Sequence, residues 1–270
     1  MERNPIVKVP ERGRLAYYGP EPDSAYWRKV WEPKLNVESY IDSCNGELGE
    51  IGQHILPWLP DRGRILEAGC GRGQVVIGLR NLGYNCEGVD LSRDTVDAVT
   101  TLWPAIPIRQ GDVKSLAVPD GYYSAYISIG VIEHRQDGPE PFLCEAWRVL
   151  KPGGLAVFTV PYFNLLRQLK AGFGLYGGNK TGLHFYQYAF GRSELVDILQ
   201  GAGFEVNQVS YYGLDYGLKT ECPLYAWPRN RRYLGAFLRS VATKAGALLP
   251  FLDHMLLAVC HKKTRSRQIG

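Results

Sequence analysis

The sequence is poor in the features that mark exported, membrane-spanning or metal-stapled proteins. Its six cysteines (Cys44, Cys70, Cys86, Cys144, Cys222 and Cys260) are scattered through 270 residues without a Cys-x-x-Cys pair. Neither a zinc site nor a disulfide framework is therefore expected, and the thiols read as reduced. The longest apolar stretch, 245–260, is interrupted by Pro250, Asp253 and His254 and falls short of the roughly 20 residues that cross a bilayer. The start, Met1-Glu2-Arg3-Asn4-Pro5, is polar and lacks the apolar run of a secretory signal, so a cytoplasmic location is expected. Net charge is only +4. The one dense basic run, His261-Lys262-Lys263 with Arg265 and Arg267, is too little to support a nucleic-acid partner. No repeat or low-complexity segment is present.

What is there is an ordinary globular mixture, 45% apolar and 21% charged, in a chain long enough for one large core. Between about 63 and 161, short β-branched runs alternate with helical patterns, the rhythm of a parallel sheet. Strands are expected at 64–68, 85–90, 106–110, 125–130 and 155–161. Helices are expected at 74–82, stopped by Gly83; at 93–102, capped by Ser92; and from Pro139 and Pro141 to Leu150, stopped by Lys151-Pro152-Gly153-Gly154. A further helix at 193–199 and strands at 204–212 and 254–262 complete an α/β, doubly wound arrangement. The expected division is an aromatic N-terminal segment, 1–55, and a main domain, 56–270, whose inserts at 162–192 and 213–253 cap the site.

The strongest chemical signal is Ile65-Leu66-Glu67-Ala68-Gly69-Cys70-Gly71-Arg72-Gly73-Gln74, a buried strand that ends in alternating glycines before a helix. Backbone must approach a ligand closely there. A dinucleotide fingerprint would read G-x-G-x-x-G; here the spacing is G-x-G-x-G, and Glu67 would repel phosphate. Asp90, in Gly88-Val89-Asp90-Leu91-Ser92, can accept two hydrogen bonds from a ribose diol. Asp112, in Gly111-Asp112-Val113, can accept from an exocyclic amine, with the Val113 amide facing a ring nitrogen. The plainer readings are a helix cap for Asp90 and a turn residue for Asp112.

With these go Ile129-Gly130-Val131-Ile132-Glu133-His134 after the fourth strand, Leu150-Lys151-Pro152-Gly153-Gly154 before the fifth and Ala202-Gly203-Phe204-Glu205 before the sixth. In that order, over about 56–204, the chain resembles class I S-adenosylmethionine-dependent methyltransferases, in the broad small-molecule group that includes quinone-pathway O-methyltransferases. The resemblance implies a Rossmann-like, seven-stranded sheet with its last strand antiparallel. It also implies that Glu67 and the loop Gly69, Cys70 and Gly71 face the methionine part of S-adenosylmethionine, Asp90 and Leu91 the ribose, and Asp112 and Val113 the adenine. Ile129 would line the other side of the cofactor. Two departures bear on the acceptor. Ser128-Ile129-Gly130-Val131 replaces the Asn or Asp before Pro-Pro-aromatic of enzymes that methylate base or amide nitrogens. No Asp and Asn cluster of the metal-dependent catechol enzymes is found.

Transfer to a base or amide nitrogen is therefore disfavoured. A small organic acceptor methylated on oxygen is expected; a nicotinamide-dependent oxidoreductase and a cofactor-binding module that transfers nothing are the alternatives. An acceptor hydroxyl must lose its proton, and among only five histidines His134, at the cofactor edge, is the first candidate base. His184, in Leu183-His184-Phe185-Tyr186-Gln187-Tyr188, is the second, whereas His54, His254 and His261 read as structural or exposed. The plainer reading is that Glu133 and His134 brace the next helix. Tyr26, Trp27 and Trp31, after Tyr17-Tyr18, are expected as a lid whose ring faces attract a sulfonium; Trp27 and Trp31 would equally serve to pack a helix on the core. Leu234, Phe237, Leu238, Val241, Ala245 and Leu248 recur at helical spacing near Arg231, Arg232, Arg239 and Lys244. A helix over 229–249 would roof the acceptor pocket or, as the alternative, rest on a membrane and admit a lipid-linked acceptor.

Overall fold

The computed structural model describes residues 6–31, 35–246 and 248–264; the polar start, Arg265, Arg267 and the side chain of Arg232 lie outside the described residues. The described strands are β1 (Val7–Glu11), β2 (Arg14–Gly19), β3 (Arg64–Ala68), β4 (Asn85–Asp90), β5 (Ile108–Gln110), β6 (Tyr123–Ile129), β7 (Leu150–Pro161), β8 (His184–Ala189), β9 (Phe204–Tyr212) and β10 (Met255–Lys262). Seven of them form one sheet in the order β5-β4-β3-β6-β7-β10-β9. β3 to β7 run parallel, and β10 lies antiparallel between β7 and β9.

The central strands are apolar on both faces because helices cover both. Side chains alternate between two cores. Leu66, Ala68, Tyr126 and Phe158 enter one; Ile65, Ile127, Val157 and Leu257 enter the other. Helices Gln74–Asn81 and Arg93–Leu102 follow β3 and β4. Helices Glu140–Val149 and Arg192–Gly201 precede β7 and β9. The Ser92 hydroxyl caps its helix by accepting the Thr95 N–H at 3.3 Å.

The N-terminal segment differs from the sequence expectation. Besides the helix Ser24–Trp31 it holds a hairpin, β1 and β2, closed by Arg12 and Gly13, both at positive φ (48° and 81°). That is the two-residue turn whose twist matches the strands. Insert 162–192 supplies the helix Leu165–Gly172 and β8, which pairs with β2 to make a second, three-stranded antiparallel sheet. Tyr17 and Tyr18 are therefore buried sheet residues rather than part of a cover. Pro10 and the uncommon Arg-Gly turn hid the hairpin from periodicity.

In insert 213–253 the expected helix is Arg232–Gly246, but it does not roof the pocket. It packs behind the helices Leu214–Glu221 and Pro223–Arg229. Leu214–Glu221 is the one that faces inward, through Tyr216, Lys219, Thr220 and Glu221. Among the described residues no helix is long and apolar enough to cross a membrane.

Candidate active site

A cavity of about 1080 Å³ runs along the C-terminal edge of the main sheet, from the ends of β4 and β5, across β6, to the junction of β7 and β10. Its floor begins at the glycine turn after β3. There the Gly69 and Cys70 N–H groups both donate to the Val89 carbonyl, at 2.8 and 3.0 Å, tying the turn to β4. Gly69 lies at φ 77°, and a Cβ on it would stand 2.4 Å from Val131 Cγ2. Glycine is required there both by conformation and by the close approach of the next loop.

Asp90 ends β4 with its carboxylate on the cavity wall. Oδ2 accepts the Gly71 N–H at 2.7 Å and Oδ1 accepts the Ser92 N–H at 2.9 Å, which leaves a lone pair on each oxygen. Burial raises its pKa, and the two N–H donors oppose the rise. Leu91, Asp112, Val113 and Ile129 line the same arm. Asp112 accepts the Lys114 N–H at 2.9 Å and pairs with the Lys114 ammonium at 3.5 Å.

Two expected site residues stand elsewhere. Glu67 lies beneath the glycine turn, off the cavity wall, where its Oε2 accepts the Val76 N–H at 3.1 Å. Burial pushes its pKa up to about 8. Its place at the buried end of β3 makes it a support for the turn and the following helix. The Cys70 side chain likewise turns away from the cavity: its Sγ would stand 2.7 Å from a Cβ on Gly88. Its thiol, buried beside carboxylates, is held well above the ordinary cysteine value.

The middle of the cavity is the turn after β6. Gly130, at φ 67°, reverses the chain so that Glu133 and His134 both face inward. His134 Nδ1 lies 2.7 Å from the Tyr186 carbonyl and so carries the proton, leaving Nε2 as the acceptor. Burial lowers the His134 pKa to about 4, so the ring is neutral. Its Nε2 stands 4.0 Å from Glu133 Oε1. Glu133 is 2% exposed, and its Oε2 has no hydrogen-bond partner. Burial pushes this carboxyl up to about 8.

Over these groups sits an aromatic wall. Trp27 stacks on Trp31 (centroids 6.3 Å apart, 18° between planes) and meets the His134 ring edge-on at 5.1 Å. Tyr186 packs edge-on against His134 at 5.1 Å and against Tyr26 at 5.6 Å. The helix carrying Tyr26, Trp27 and Trp31 also touches the helix Arg93–Leu102, so packing and covering are combined in one element. His184 is exposed at the start of β8 and lies off the cavity, whereas Tyr186, two residues on, lines it. A bulge in β8, where the adjacent Tyr17 and Tyr18 pair with Gln187 and Phe185, breaks the alternation at Tyr186, so no simple strand pattern marked it.

Sequence reasoning also passed over the far arm, lined by Lys8, Tyr17, Arg167, Glu221 and His254. His254, expected to be structural or exposed, is on the wall, and its Nδ1 accepts from Arg167 Nη2 at 2.7 Å. None of these residues belongs to a local motif.

With this geometry go four similarities. A family model described as a methyltransferase domain matches residues 40–209. A "Probable S-adenosylmethionine-dependent methyltransferase" of Mycolicibacterium smegmatis is 28% identical over 201 residues, 74% of this chain and 71% of its own length. A ubiquinone biosynthesis O-methyltransferase of Burkholderia thailandensis is 24% identical over 196 residues, 69% and 83% of the two chains. Among solved structures, a SAM-dependent methyltransferase from Archaeoglobus fulgidus shares the fold with a TM-score of 0.56 at 15% identity, over 88% of this chain and all of that one.

Proposed function

Because the chain belongs to the methyltransferase-domain family and is an S-adenosylmethionine-dependent methyltransferase, we propose that it methylates a small organic acceptor at oxygen, in the cavity beneath Tyr26, Trp27 and Trp31. Family membership selects the methyl donor over a nicotinamide. S-adenosylmethionine, when bound, supplies a methyl group on a sulfonium that is displaced in line. The donor set fits such a group: acidic acceptors, bare glycine backbone and aromatic faces suit a diol, an amine and a cation. In this reading Asp90 accepts from the ribose diol and Asp112 from the adenine amine, with Val113, Leu91 and Ile129 beside them. Gly69 and Gly71 leave room for the methionine part, while Glu67 and Cys70 support the turn from below.

The observation that carries the oxygen reading is Glu133, a buried carboxyl group with an unpartnered oxygen on the wall of the cavity. A hydroxyl acceptor needs a group to hold its proton, and one with a pKa of about 8 is matched to that task near neutral pH. His134, neutral and fixed with Nε2 as acceptor, orients the hydroxyl. The aromatic wall excludes water from the transfer. Paired phenols, thiols and anilines assayed by transfer of labelled methyl test the reading. Phenols should be the substrates, and Glu133→Gln should lower kcat by about 10² to 10⁴ with S-adenosylhomocysteine affinity unchanged. Full turnover in that variant would remove Glu133 from the reaction. Binding of S-adenosylhomocysteine with no turnover across the panel would favour a module that transfers nothing.

A second reading concerns where the acceptor comes from. Trp227 is 70% and Phe237 64% exposed, with Leu224, Leu234, Val241 and Leu248 also open. The exposed Arg231, Arg239 and Lys244 stand among them in the chain. That combination supports contact with an anionic membrane surface and a lipid-linked acceptor.

A further inference from the structure

We propose that the far arm of the cavity is a subsite for a negatively charged group, a carboxylate or a phosphate, on the acceptor molecule. This rests on the proposal above that the cavity holds the acceptor, the far arm being the part of it that the proposed cofactor residues do not line. Three separate segments bring the charges together, β1, the helix Leu165–Gly172 and the helix Leu214–Glu221, and the loop before β8 adds the Tyr176 hydroxyl. Glu221 is their only carboxylate partner among the described residues. Its Oε1 accepts from Lys8 at 2.5 Å and from Arg167 Nε at 3.1 Å, and its Oε2 accepts from Lys170 at 3.0 Å and from the Tyr176 hydroxyl at 2.7 Å. The side chains of Arg167 and Glu221 are each 1% exposed.

Three cations therefore share one anion. The surplus is not cancelled nearby, because His254 is a neutral acceptor for Arg167, and burial together with the Arg167 charge holds it well below its ordinary pKa. Lys219, a fourth cation, lines the cavity with Lys8 and Arg167 and has no hydrogen-bond or ion-pair partner among the described residues.

A structural latch would need one cation for Glu221; beside the buried Arg167, Lys8 and Lys170 are only 21% and 24% exposed, and drawing them out of water around the same carboxylate is a loss. Lys8 makes this concrete. Its ammonium gives one hydrogen bond, to Glu221, and otherwise faces the rings of Tyr17 and Tyr176 at 5.3 and 5.5 Å. Burial lowers its pKa despite the carboxylate. Two of its N–H donors are left for a ligand, and an anion seated beside Lys8 and Lys219 would restore charge balance. Tyr17, Tyr186 and Met255 line the cavity with this cluster, so an acid with an aromatic or apolar body fits the space.

The test uses the full chain saturated with S-adenosylhomocysteine and fluorine NMR of three probes: 4-fluorobenzoate, 4-fluorophenyl phosphate and the neutral 4-fluorobenzamide. At least one anion should bind about tenfold or more tightly than the amide, as expected for a charge-assisted contact, and the stronger of the two identifies the class. Lys219→Met, at an exposed and unpaired position that should leave the melting temperature unchanged, should remove most of that preference. Lys8→Met should do the same if it folds. Equal binding of the three probes, no binding of either anion, or an undiminished preference in Lys219→Met would overturn the proposal. Loss of phenol methylation on Glu133 substitution is read separately, so the oxygen reading can stand or fall without this one.

Discussion

Replacing Asp90 by Asn separates what this carboxylate does for the fold from what it does for the cofactor. The substitution keeps the shape of the side chain and one of its two acceptor oxygens. In the protein as it stands, Gly71 and Ser92 each give an N–H to one oxygen. The amide would turn an NH2 toward one of them. Against that loss stands a gain: burial raises the Asp90 pKa in the folded chain. The stability of its protonated form is present at low pH and is lost as pH rises from the unfolded value of 3.8 through the folded one. At pH 7.5 the ionised group therefore weighs against folding, and an uncharged amide relieves it. The melting temperature should move little. Cofactor affinity should fall. Two diol hydrogen bonds to a charged acceptor are worth about 1 to 1.5 kcal/mol more apiece than to a neutral one, so the total of about 2 to 3 kcal/mol corresponds to a roughly 30- to 150-fold higher Kd. Isothermal titration with S-adenosylhomocysteine and a melting curve on the same samples measure the two quantities. An unchanged Kd would show that the diol is held elsewhere, and a collapse of melting temperature in proportion to Kd would show that Asp90 acts only as a cap.

Glu133 should leave a pH signature of its own. Its carboxyl is held at about 8 when folded against an ordinary 4.5, so the folded chain keeps a proton that the unfolded chain has released, and stability should fall as pH rises from about 4.5 through 8. Melting curves of Glu133→Gln should lose that component, and the wild-type rate should climb through about pH 8 as the carboxylate forms; a flat wild-type profile would refute both. Gly69→Ala should cost about 1 to 2 kcal/mol for the left-handed backbone alone and more for displacing Val131, seen as lower melting temperature and lost S-adenosylhomocysteine binding; wild-type affinity would mean the turn is not at the cofactor. If the C-terminal cap meets membranes, the protein should co-sediment with anionic vesicles and the Trp227→Ser, Phe237→Ser double variant should not. Wild-type protein left wholly in the supernatant would retire the lipid-linked reading.

How much of this was legible in the chain depended on how local each feature is. The sheet strands β3, β4, β9 and β10 fall within a residue of their expected bounds, whether parallel like β3 and β4 or antiparallel like β9 and β10, because their composition and the turn residues beside them mark them locally. The ends of β5, β6 and β7 moved by two to five residues, where pairing with a neighbour rather than composition sets the limit. The glycine turn, Asp90, Asp112 and the Glu133-His134 pair were visible because each is a short motif at a strand end. Which of them reaches the cavity was not visible: Glu67 and Asp90 read alike in sequence, yet one faces a helix amide below the turn and the other the open cleft.

Sequence by itself determined the order of strands and helices in the main sheet and its acidic strand ends, since these follow from periodicity and from neighbours a few residues apart, and the class of cofactor came with the family resemblance those motifs carry. Tertiary structure decided the acceptor side. Lys8 and Glu221 are 213 residues apart in the chain, Tyr186 meets His134 across 52, and a hairpin joins β8 only through pairing. Such groups meet because folding closes long loops around a shared core, and no local pattern records which distant residues the closure will bring face to face.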